Sequence, residues 1–319
     1  MKPIVKEFLT AALMGFALPG VLLNLAVKRQ DSSGDRPTET IPEVSVFTEP
    51  NQTLTMQLTL GDGTVAEMDL NDYLTGVVLA EMPASFETEA LKAQAVVART
   101  YALKAAQSGK HNGGVCTDYA CCQAYIAKTD YNGGAENIEK VRAAVEATDG
   151  LVLTYGGELI EATYFSCSGG STEDAVAVWG TDYPYLRATD SPGEEHATHY
   201  TDTVTFTAEE FASKLGQALS GKPESWLGFT TYTAGGGVNS MRIGNTEYKG
   251  TELRILLGLR STAFTIDAEG DTITITTKGF GHRVGMSQYG ADAMAATGST
   301  FQEILAHYYK GTALERFGN

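Results

Sequence analysis

Cysteine and basic residues are scarce in this 319-residue chain. It has 4 cysteines, and its 23 lysines and arginines stand against 39 aspartates and glutamates, which gives a net charge of −16. So few cysteines in a chain of this length exclude a disulfide-built scaffold. The shortage of positive charge argues against a nucleic-acid-binding protein, which needs a basic face to displace counterions from phosphates.

Proline-rich tracts, a collagen period and internal repeats are also absent from the sequence. The 35 glycines therefore indicate turns and close backbone approaches. Hydrophobic residues make up 43% of the chain and charged residues 19%, which is typical of a globular protein and excludes a disordered one. The length allows one large domain or two small ones.

Residues 8–27 form an apolar stretch with two lysines before it, and Lys28 and Arg29 directly after it. About 20 apolar residues are enough to span a bilayer as a helix. We therefore predict a stub and a single transmembrane helix over residues 1–30, a polar tether over 31–50 and a soluble domain over 51–319; the balanced charges on either side of the helix do not set its orientation. A cleaved signal peptide is the alternative interpretation of the apolar stretch.

The remaining periodicities predict strands and helices in a mixed order. Strands are predicted over residues 53–60, 65–70, 151–155, 159–166, 202–206 and 272–277, and helices over 71–81, 87–108, 138–148, 208–219 and 301–308. This order indicates an α+β fold, with mixed helices and antiparallel strands forming a cleft, and not a repeated βαβ unit. The helix over 87–108 is rich in alanine, so we expect another element to pack closely against it.

Glu81 is the first candidate for chemistry. It lies among apolar residues in YLTGVVLAEMPASF, two positions before Pro83. A carboxyl group among apolar neighbours resists ionisation, so its pKa rises and it can hold a proton at neutral pH, as a general acid must. A solvent-facing glutamate at the end of an amphipathic helix is the alternative interpretation.

A histidine and three cysteines form the second candidate site: His111, Cys116, Cys121 and Cys122, in HNGGVCTDYACC. A glycine-containing loop after a helix could bring these side chains onto one ion, and such donors suit tetrahedral Zn²⁺. Four protein ligands would leave no open position, so such a metal would be structural. A Cys116–Cys122 disulfide and buried inert thiols are the alternatives, whereas a disulfide between adjacent cysteines would be strained.

Two glycine-containing motifs complete the candidates. YFSCSGGST begins at Tyr164 and could turn backbone amides towards a ligand, although its Cys167 has no evident base to activate it. GFGHRVGMSQYGADAM spans residues 279–294 and places His282 near hydroxyl, amide and phenol groups that suit hydroxyl-rich ligands. An ordinary turn or loop is the alternative for both motifs. His196 and His199 lack an accompanying carboxylate pattern and are not assigned to a metal.

Together these segments resemble the stage II sporulation protein D family of lytic transglycosylases. The resemblance covers about residues 53–309 and is carried by YLTGVVLAEMPASFETEALKAQAVVARTYAL, the cysteine loop, YFSCSGG, the Trp179-Gly180 and Tyr185-Leu186 region, and GHRVGMSQYGA. It implies a membrane-anchored enzyme, with residues 1–30 as the cytoplasmic stub and anchor and residues 51–319 as an extracytoplasmic catalytic domain between mother cell and forespore. Such an enzyme cleaves denuded peptidoglycan glycan strands between N-acetylmuramic acid and N-acetylglucosamine during engulfment. It also implies two partners, the amidase called stage II sporulation protein P and the membrane protein M of the same stage.

The resemblance assigns roles to single residues. Glu81 stands at the family's catalytic glutamate, whose protonated carboxyl donates to the departing oxygen and then accepts the proton of the muramyl C6 hydroxyl as it closes on C1. A 1,6-anhydro sugar results, and no second carboxylate is needed. The residues expected to bind substrate are Lys92, Arg99, Tyr101, Tyr164, Ser166, Ser168, Gly169, His282, Ser287, Gln288 and Tyr289. The cysteine loop matches a zinc loop of clostridial-type members, in which His111, Cys116 and Cys122 match best and Cys121 would be the fourth ligand.

Two residues depart from the family pattern, and two other functions stay open. Arg283 stands where the family usually has glycine, and Cys167 replaces a small hydroxyl residue, so Cys167 could compete with Cys121 for zinc. A glycan-binding module that activates a cell-wall amidase without catalysis is the first alternative function. A hydrolytic muramidase is the second, and it would need another carboxylate such as Glu87 or Asp118.

Overall fold

The computed structural model describes residues 54–318. The predicted membrane anchor over residues 1–30 and the tether over 31–50 lie outside the described residues. Within residues 54–318, no helix combines the length and the apolar character needed to cross a membrane.

Short strands and mostly short helices alternate along the described chain. The first elements are β1 (Thr55–Thr59), β2 (Val65–Asp69), α1 (Leu70–Glu81), α2 (Thr88–Gln107), β3 (Val115–Cys116), α3 (Ala135–Ala147), β4 (Leu151–Tyr155), β5 (Glu158–Leu159), β6 (Tyr164–Phe165) and α4 (Ala175–Trp179). They are followed by β7 (Thr201–Thr207), α5 (Ala208–Leu215), β8 (Leu227–Tyr232), β9 (Val238–Ile243), β10 (Thr246–Lys249), α6 (Gly250–Leu257), β11 (Ala263–Glu269), β12 (Thr272–Lys278), β13 (Met286–Ser287), α7 (Gln288–Ala296), α8 (Phe301–Tyr308) and β14 (Ala313–Arg316).

These strands form small sheets in the orders β2-β1-β3, β14-β4-β5, β13-β6, β11-β12-β7 and β10-β9-β8. All strand pairs are antiparallel except β1 with β3 and β13 with β6. The predicted α+β class with antiparallel sheets is therefore confirmed. The predicted strand over 159–166 is wrong as a single strand, because β5 and β6 belong to different sheets.

Helix α2 lies at the centre of the larger of two hydrophobic cores. It packs against α1, α3, α7, α8 and β4. Its five alanines between Ala90 and Ala102 are fully inaccessible, which lets these neighbours approach closely, as its composition predicts. Its N-terminus is capped from another helix, because Asp292 of α7 accepts a hydrogen bond from the backbone N–H of Glu87 at 2.7 Å.

Residues 201–278 build the second hydrophobic core. Its buried side chains include Phe211, Trp226, Leu253 and Ile275. Four of its strands, β8 to β11, and helix α6 were not predicted from the sequence. The predicted helix over 208–219 ends earlier, at Leu215, because Gly216 takes a left-handed conformation and terminates it.

Residues 201–278, which form the second core, are an insertion at one place in the chain that forms the larger core. The chain enters the insertion after Tyr200 and leaves it before Gly279, and the Gly279 N–H donates a hydrogen bond to the Tyr200 carbonyl at 2.8 Å. The larger core therefore combines residues from before and after the insertion, which is how α7 comes to lie beside α2.

Candidate active site and metal cluster

Glu81 is the last residue of α1, where an extended Met82 and then Pro83 end the helix. The residue is half-buried, and its Oε1 accepts a hydrogen bond from the backbone N–H of Ala124 at 2.8 Å. Burial of the carboxyl group raises the pKa of Glu81 above its usual value of 4.5. The alternative of a solvent-facing glutamate does not fit this environment.

Two side chains from distant parts of the sequence favour the ionised form of Glu81. The Tyr164 hydroxyl and the Gln288 amide donate towards the carboxylate, and with the Ala124 N–H they offset part of the rise in pKa. Strand β6 pairs in parallel with β13, so Tyr164 lies opposite Met286. Gln288 is the first residue after β13, and this pairing brings it close to Tyr164. The buried Nε2 of Gln288 has no hydrogen-bond partner of standard geometry within residues 54–318, so this donor is available to Glu81.

Gln123 and Ala124 are site residues that the sequence analysis missed. The single hydrogen of the Tyr164 hydroxyl can go either to Glu81 or to Gln123, whose Oε1 is 3.0 Å away, and Gln123 Nε2 donates to the Tyr73 hydroxyl at 3.1 Å. Gln123 and Ala124 are the two residues after Cys122, and this closeness to the predicted metal ligands was the one feature of the sequence that pointed to them. The loop that carries the cysteines thus also holds the carboxyl of Glu81.

A second carboxylate does not take part in this arrangement. Among the described residues, no acidic group contributes to the pKa shift of Glu81. Asp118 is exposed and accepts a hydrogen bond from the Ala120 N–H at 2.9 Å, and Glu87 is exposed just before α2. The arrangement suits chemistry that one carboxyl can perform alone as acid and then as base.

His111, Cys116, Cys121 and Cys122 form a cluster that could hold a metal ion. Their ligand atoms all lie within 4.8 Å of one another, and His111 Nε2 is 3.3 Å from Cys121 Sγ. Tetrahedral Zn²⁺ with bonds of about 2.0–2.3 Å would place its ligands roughly 3.5–3.8 Å apart, so a small contraction would suffice. One imidazole and three thiolates suit this ion, and they leave no open position for catalysis.

The same geometry decides between the alternatives for the cysteines. All four are free thiols, so the Cys116–Cys122 disulfide is not formed. Cys167 lies outside the cluster, and its Sγ donates to Glu194 at 3.2 Å, which makes Cys121 the fourth member. Burial raises the pKa of Cys116 to about 12 and also raises that of Cys122, so metal binding would have to displace their protons.

Three residues of α2 expected to bind substrate have other partners. Arg99 is fully buried, and its guanidinium donates to the carbonyls of Thr148, Leu151 and Val145 and to Asn71, so its role is structural. Lys92 pairs with Glu89 at 2.7 Å. The Tyr101 hydroxyl donates to the carbonyl of Cys121 at 3.4 Å and therefore supports the metal cluster.

Ser168 and Gly169 surround a buried carboxylate of the same chain. Glu194 Oε2 accepts from the Ser168 N–H at 2.7 Å, the Ser168 hydroxyl at 2.9 Å and the Gly169 N–H at 3.1 Å. Ser191 donates to the other oxygen at 2.5 Å. The motif does present amides to an anion, as its glycines suggest, but the anion is Glu194, which the sequence analysis missed. Ser168 is fully buried and its donors are occupied, so contact with substrate is not its role.

The remaining expected residues lie around Tyr164. His282 packs against the rings of Phe165 and Trp179, with ring centres 5.5 and 5.2 Å away. Burial lowers the pKa of His282 to about 3, so its ring is neutral, with Nδ1 accepting from the Val284 N–H at 3.1 Å.

Ser287 and Tyr289 flank Gln288 at the start of α7. The Ser287 hydroxyl caps this helix by accepting from the Gly290 N–H. The Tyr289 backbone N–H donates to the Ser166 carbonyl, and its half-buried ring meets the Phe86 ring edge to face. Ser166 thus adjoins the site through its backbone, and the Tyr289 ring also meets the His196 ring, with centres 5.4 Å apart.

Comparison with known proteins agrees with this arrangement. A family model described as Stage II sporulation protein matches residues 61–155, which include Glu81 and the metal cluster. Stage II sporulation protein D of Bacillus subtilis (strain 168) is 42% identical over 260 residues, which cover 78% of this chain and 75% of that protein. The chain belongs to the stage II sporulation protein D family.

Two further relatives extend the comparison. Stage II sporulation protein D of Bacillus amyloliquefaciens is 42% identical over 259 residues, covering 77% of this chain and 74% of that protein. A protein named Amidase enhancer from Bacillus subtilis (strain 168) is 31% identical over 302 residues, covering 76% of this chain and 40% of that protein. A role in the cell-wall processing of sporulation is therefore supported.

Arg283, the departure from the family pattern, forms a buried ion pair in this member. Its backbone adopts a left-handed φ of 65°, the region in which glycine is favoured. The guanidinium is 2.9 Å from Glu173 Oε1 and also donates to the carbonyls of Ser168, Ser171 and Gly235. Because Gly235 lies in the β8–β9 connection, Arg283 joins the insertion to the loop that carries His282.

Proposed function

We propose that this protein is a lytic transglycosylase that cleaves denuded peptidoglycan glycan strands between N-acetylmuramic acid and N-acetylglucosamine. The observation that carries the proposal is a single carboxyl, Glu81, whose pKa is raised by burial and which lies among three donors. A raised pKa keeps a general acid protonated near neutral pH, and the donors then stabilise the carboxylate that forms.

The mechanism needs only the residues around Glu81. The protonated carboxyl donates its proton to the glycosidic oxygen as the bond to C1 breaks. The Ala124 N–H, Tyr164 and Gln288 stabilise the resulting carboxylate, which accepts the proton of the muramyl C6 hydroxyl. The C6 oxygen then bonds to C1 and closes the 1,6-anhydro ring, so no water and no second carboxylate take part.

We further propose that the cluster of His111, Cys116, Cys121 and Cys122 holds a structural Zn²⁺. When bound, the ion would supply a fixed crosslink and no reacting group. Gln123 and Ala124 follow the last ligand directly, so ordering of this loop would fix the donor to Glu81.

The test compares product formation by three full-length proteins on denuded glycan strands. Glu81→Gln should lower release of 1,6-anhydro products at least about 100-fold, since general acid–base groups contribute that much or more. Glu87→Gln is the matched control, an exposed glutamate close in sequence, and should cleave like the unmodified protein. Mass spectrometry distinguishes anhydro from reducing ends. Wild-type release by Glu81→Gln would refute the proposal, and reducing ends would indicate a hydrolytic muramidase.

Similarity to the Amidase enhancer supports a second candidate, a glycan-binding activator of a cell-wall amidase that does not itself cleave. In that case the chain would accelerate peptide release by the amidase equally well with Glu81 or Gln at position 81. An amidase rate measured with both proteins on intact sacculi separates the two functions.

The cellular setting is a proposal that follows from family membership. We propose that residues 8–27 anchor the chain in the membrane, with residues 51–319 between mother cell and forespore. The proposed partners are the amidase and the membrane protein of the same sporulation stage, proteins P and M. Fluorescence of a tagged chain at the engulfing membrane, and its loss when residues 1–30 are deleted, would test the anchor.

A further inference from the structure

Arg254 lies in α6 and has no partner for its charge. Within residues 54–318 its guanidinium makes no hydrogen bond and no ion pair, and none of its nitrogens is fully enclosed, so a ligand can reach it. Burial lowers the pKa of Arg254 to about 10, and no carboxylate among those residues offsets the shift. Burial also lowers the pKa values of Arg99 and Arg283, but a neighbouring carboxylate offsets part of each shift. Arg254 therefore carries a partly desolvated positive charge at neutral pH that the described part of the chain does not balance.

Backbone hydrogen bonds place the end of α6 beside the loop that carries His282. The Arg254 carbonyl accepts from the Leu259 N–H at 2.8 Å. The carbonyl of the next residue, Arg260, accepts from the Gly281 N–H at 3.1 Å, and His282 follows Gly281 directly. The charge of Arg254 also acts on the His282 ring and is, after burial, the second cause of the lowered pKa of this histidine. Arg254 is therefore a neighbour of His282 across the boundary between the insertion and the larger core.

His282 also connects Arg254 to the surroundings of Glu81. Its ring is hydrogen-bonded to the backbone of Tyr164, whose hydroxyl faces Glu81. The same ring packs against the half-buried Trp179, with ring centres 5.2 Å apart. Tyr164 and Arg254 thus interact with one imidazole, and two side chains separate the unpaired cation from the reacting carboxyl. A polymer bound at Glu81 therefore has the cation beside it, next to an aromatic surface.

Two acidic residues near α6 do not supply the missing counterion. Glu252 is exposed, and it lies two positions before Arg254, about 200° around the helix and therefore on the opposite side of α6. Asp202 is paired with Arg260, with 3.1 Å between its carboxylate and Nε. His282 is neutral, so it does not compete with Arg254 for an anion. The ligand that suits Arg254 is therefore an anion from outside the described chain.

A denuded glycan strand differs from an intact one at the lactyl group of muramic acid. Removal of the stem peptide replaces a neutral amide by a free carboxylate, and a guanidinium binds a carboxylate through two parallel hydrogen bonds. We propose that Arg254 binds this lactyl carboxylate and thereby selects denuded strands. The inference rests on the proposed function for the identity of the substrate. Arg254 determines specificity in this arrangement, and the chemical step is left to Glu81.

The test measures binding to two strands that differ only in this group. Denuded strands are compared with the same strands after conversion of their lactyl carboxylates to methylamides, by fluorescence anisotropy of end-labelled material. Full-length Glu81→Gln should bind the denuded strands about 10-fold more tightly, which is the factor expected for one charge-assisted hydrogen bond. Adding Arg254→Met should weaken binding of the denuded strands to the level of the methylamide strands, whose affinity should not change. In the active protein Arg254→Met should raise KM for denuded strands and leave kcat unchanged.

Two further variants separate recognition of the carboxylate from a structural effect. Arg242→Met removes an exposed arginine of β9 in the same insertion and should keep the preference for denuded strands. Arg254→Lys keeps the charge and should keep part of the preference, which a purely structural role of Arg254 does not predict. Equal weakening of both strands by Arg254→Met, or a preference that survives this change, would overturn the proposal.

The binding measurement also distinguishes failure of this inference from failure of the proposed reaction. Cleavage of denuded strands by Glu81→Gln at the rate of the unmodified protein would refute the catalytic assignment, and the preference for a free carboxylate would still decide the role of Arg254. Absence of binding to either strand would refute the substrate class and this inference with it.

Discussion

Replacing Arg283 by methionine should destabilise the protein strongly. Arg283 and Glu173 have side-chain exposures of 2% and 1%, and their charged atoms are 2.9 Å apart. Arg283→Met keeps much of the aliphatic volume and removes the charge, so the Glu173 carboxylate would stay buried without its counterion. The carbonyls of Ser168, Ser171 and Gly235 would lose their donors as well.

The expected cost follows from the burial of the pair. Breaking a buried ion pair on one side costs about 3–5 kcal/mol, because the remaining charge is uncompensated. In a protein of this size 1 kcal/mol shifts Tm by about 2–4 °C, so Tm should fall by roughly 10 °C. Arg142 is the matched control, because it pairs with Glu139 and Glu146 on the exposed face of α3. Arg142→Met should cost far less than Arg283→Met, because solvent screens an exposed ion pair.

Chemical denaturation of the full-length variants measures both costs, and a double variant tests the cause. Glu173→Gln with Arg283→Met removes both charges and keeps an amide oxygen to accept from the Thr233 hydroxyl and the Gly237 N–H. This double variant should be more stable than Arg283→Met alone. If Arg283→Met costs no more than Arg142→Met, or if the double variant is the less stable one, the buried charge is not the reason for the loss.

Three further predictions concern titration and the metal cluster. The pKa of Glu81 is raised, so the folded protein holds this proton more tightly than the unfolded chain does. The free energy of unfolding should therefore fall as pH rises above about 4.5 and through the raised pKa. The rate of cleavage should fall over the same interval, because the general acid loses its proton. Glu81→Gln should abolish that loss of stability, and melting curves of both proteins across pH check it. The pKa of His282 is lowered from 6.5 to about 3, so stability should fall as pH drops through this interval, and His282→Asn should flatten the dependence. Removal of the metal by a chelator should lower both Tm and the rate of cleavage, whereas a chelator preloaded with Zn²⁺ should change neither. Metal analysis of the pure protein is the second measurement, and a content below about a tenth of an equivalent would rule out the structural ion.

Local patterns were sufficient to predict the elements nearest the site. The alanine-rich sequence of α2 predicts both its length and the close approach of its neighbours. Apolar residues around Glu81 predict its raised pKa, and the spacing of one histidine and three cysteines predicts their convergence. Each of these features depends on residues close together in the sequence, so a short stretch of sequence contains all the residues that cause it.

Features that depend on distant residues could not be predicted in this way. Glu194 is buried because Ser168 and Gly169, some 25 positions earlier, supply its donors. Arg99 was expected near substrate, but its acceptors are carbonyls around the end of α3, about 50 positions later. Side chains of this kind look solvent-exposed in a sequence, and tertiary hydrogen bonds alone stabilise their burial.

The hydrogen bond between Tyr200 and Gly279 makes the insertion a removable module. A chain that departs and returns at adjacent residues can exchange the intervening 78 positions for a shorter or different unit without redirecting either end. Bridging Tyr200 to Gly279 would keep the acid and the cysteine loop in one polypeptide, although Arg283 would then lose its acceptor at Gly235. Glu81, the donors around it and the cysteine cluster all lie outside positions 201–278, so sequence changes within the insertion leave those residues themselves in place.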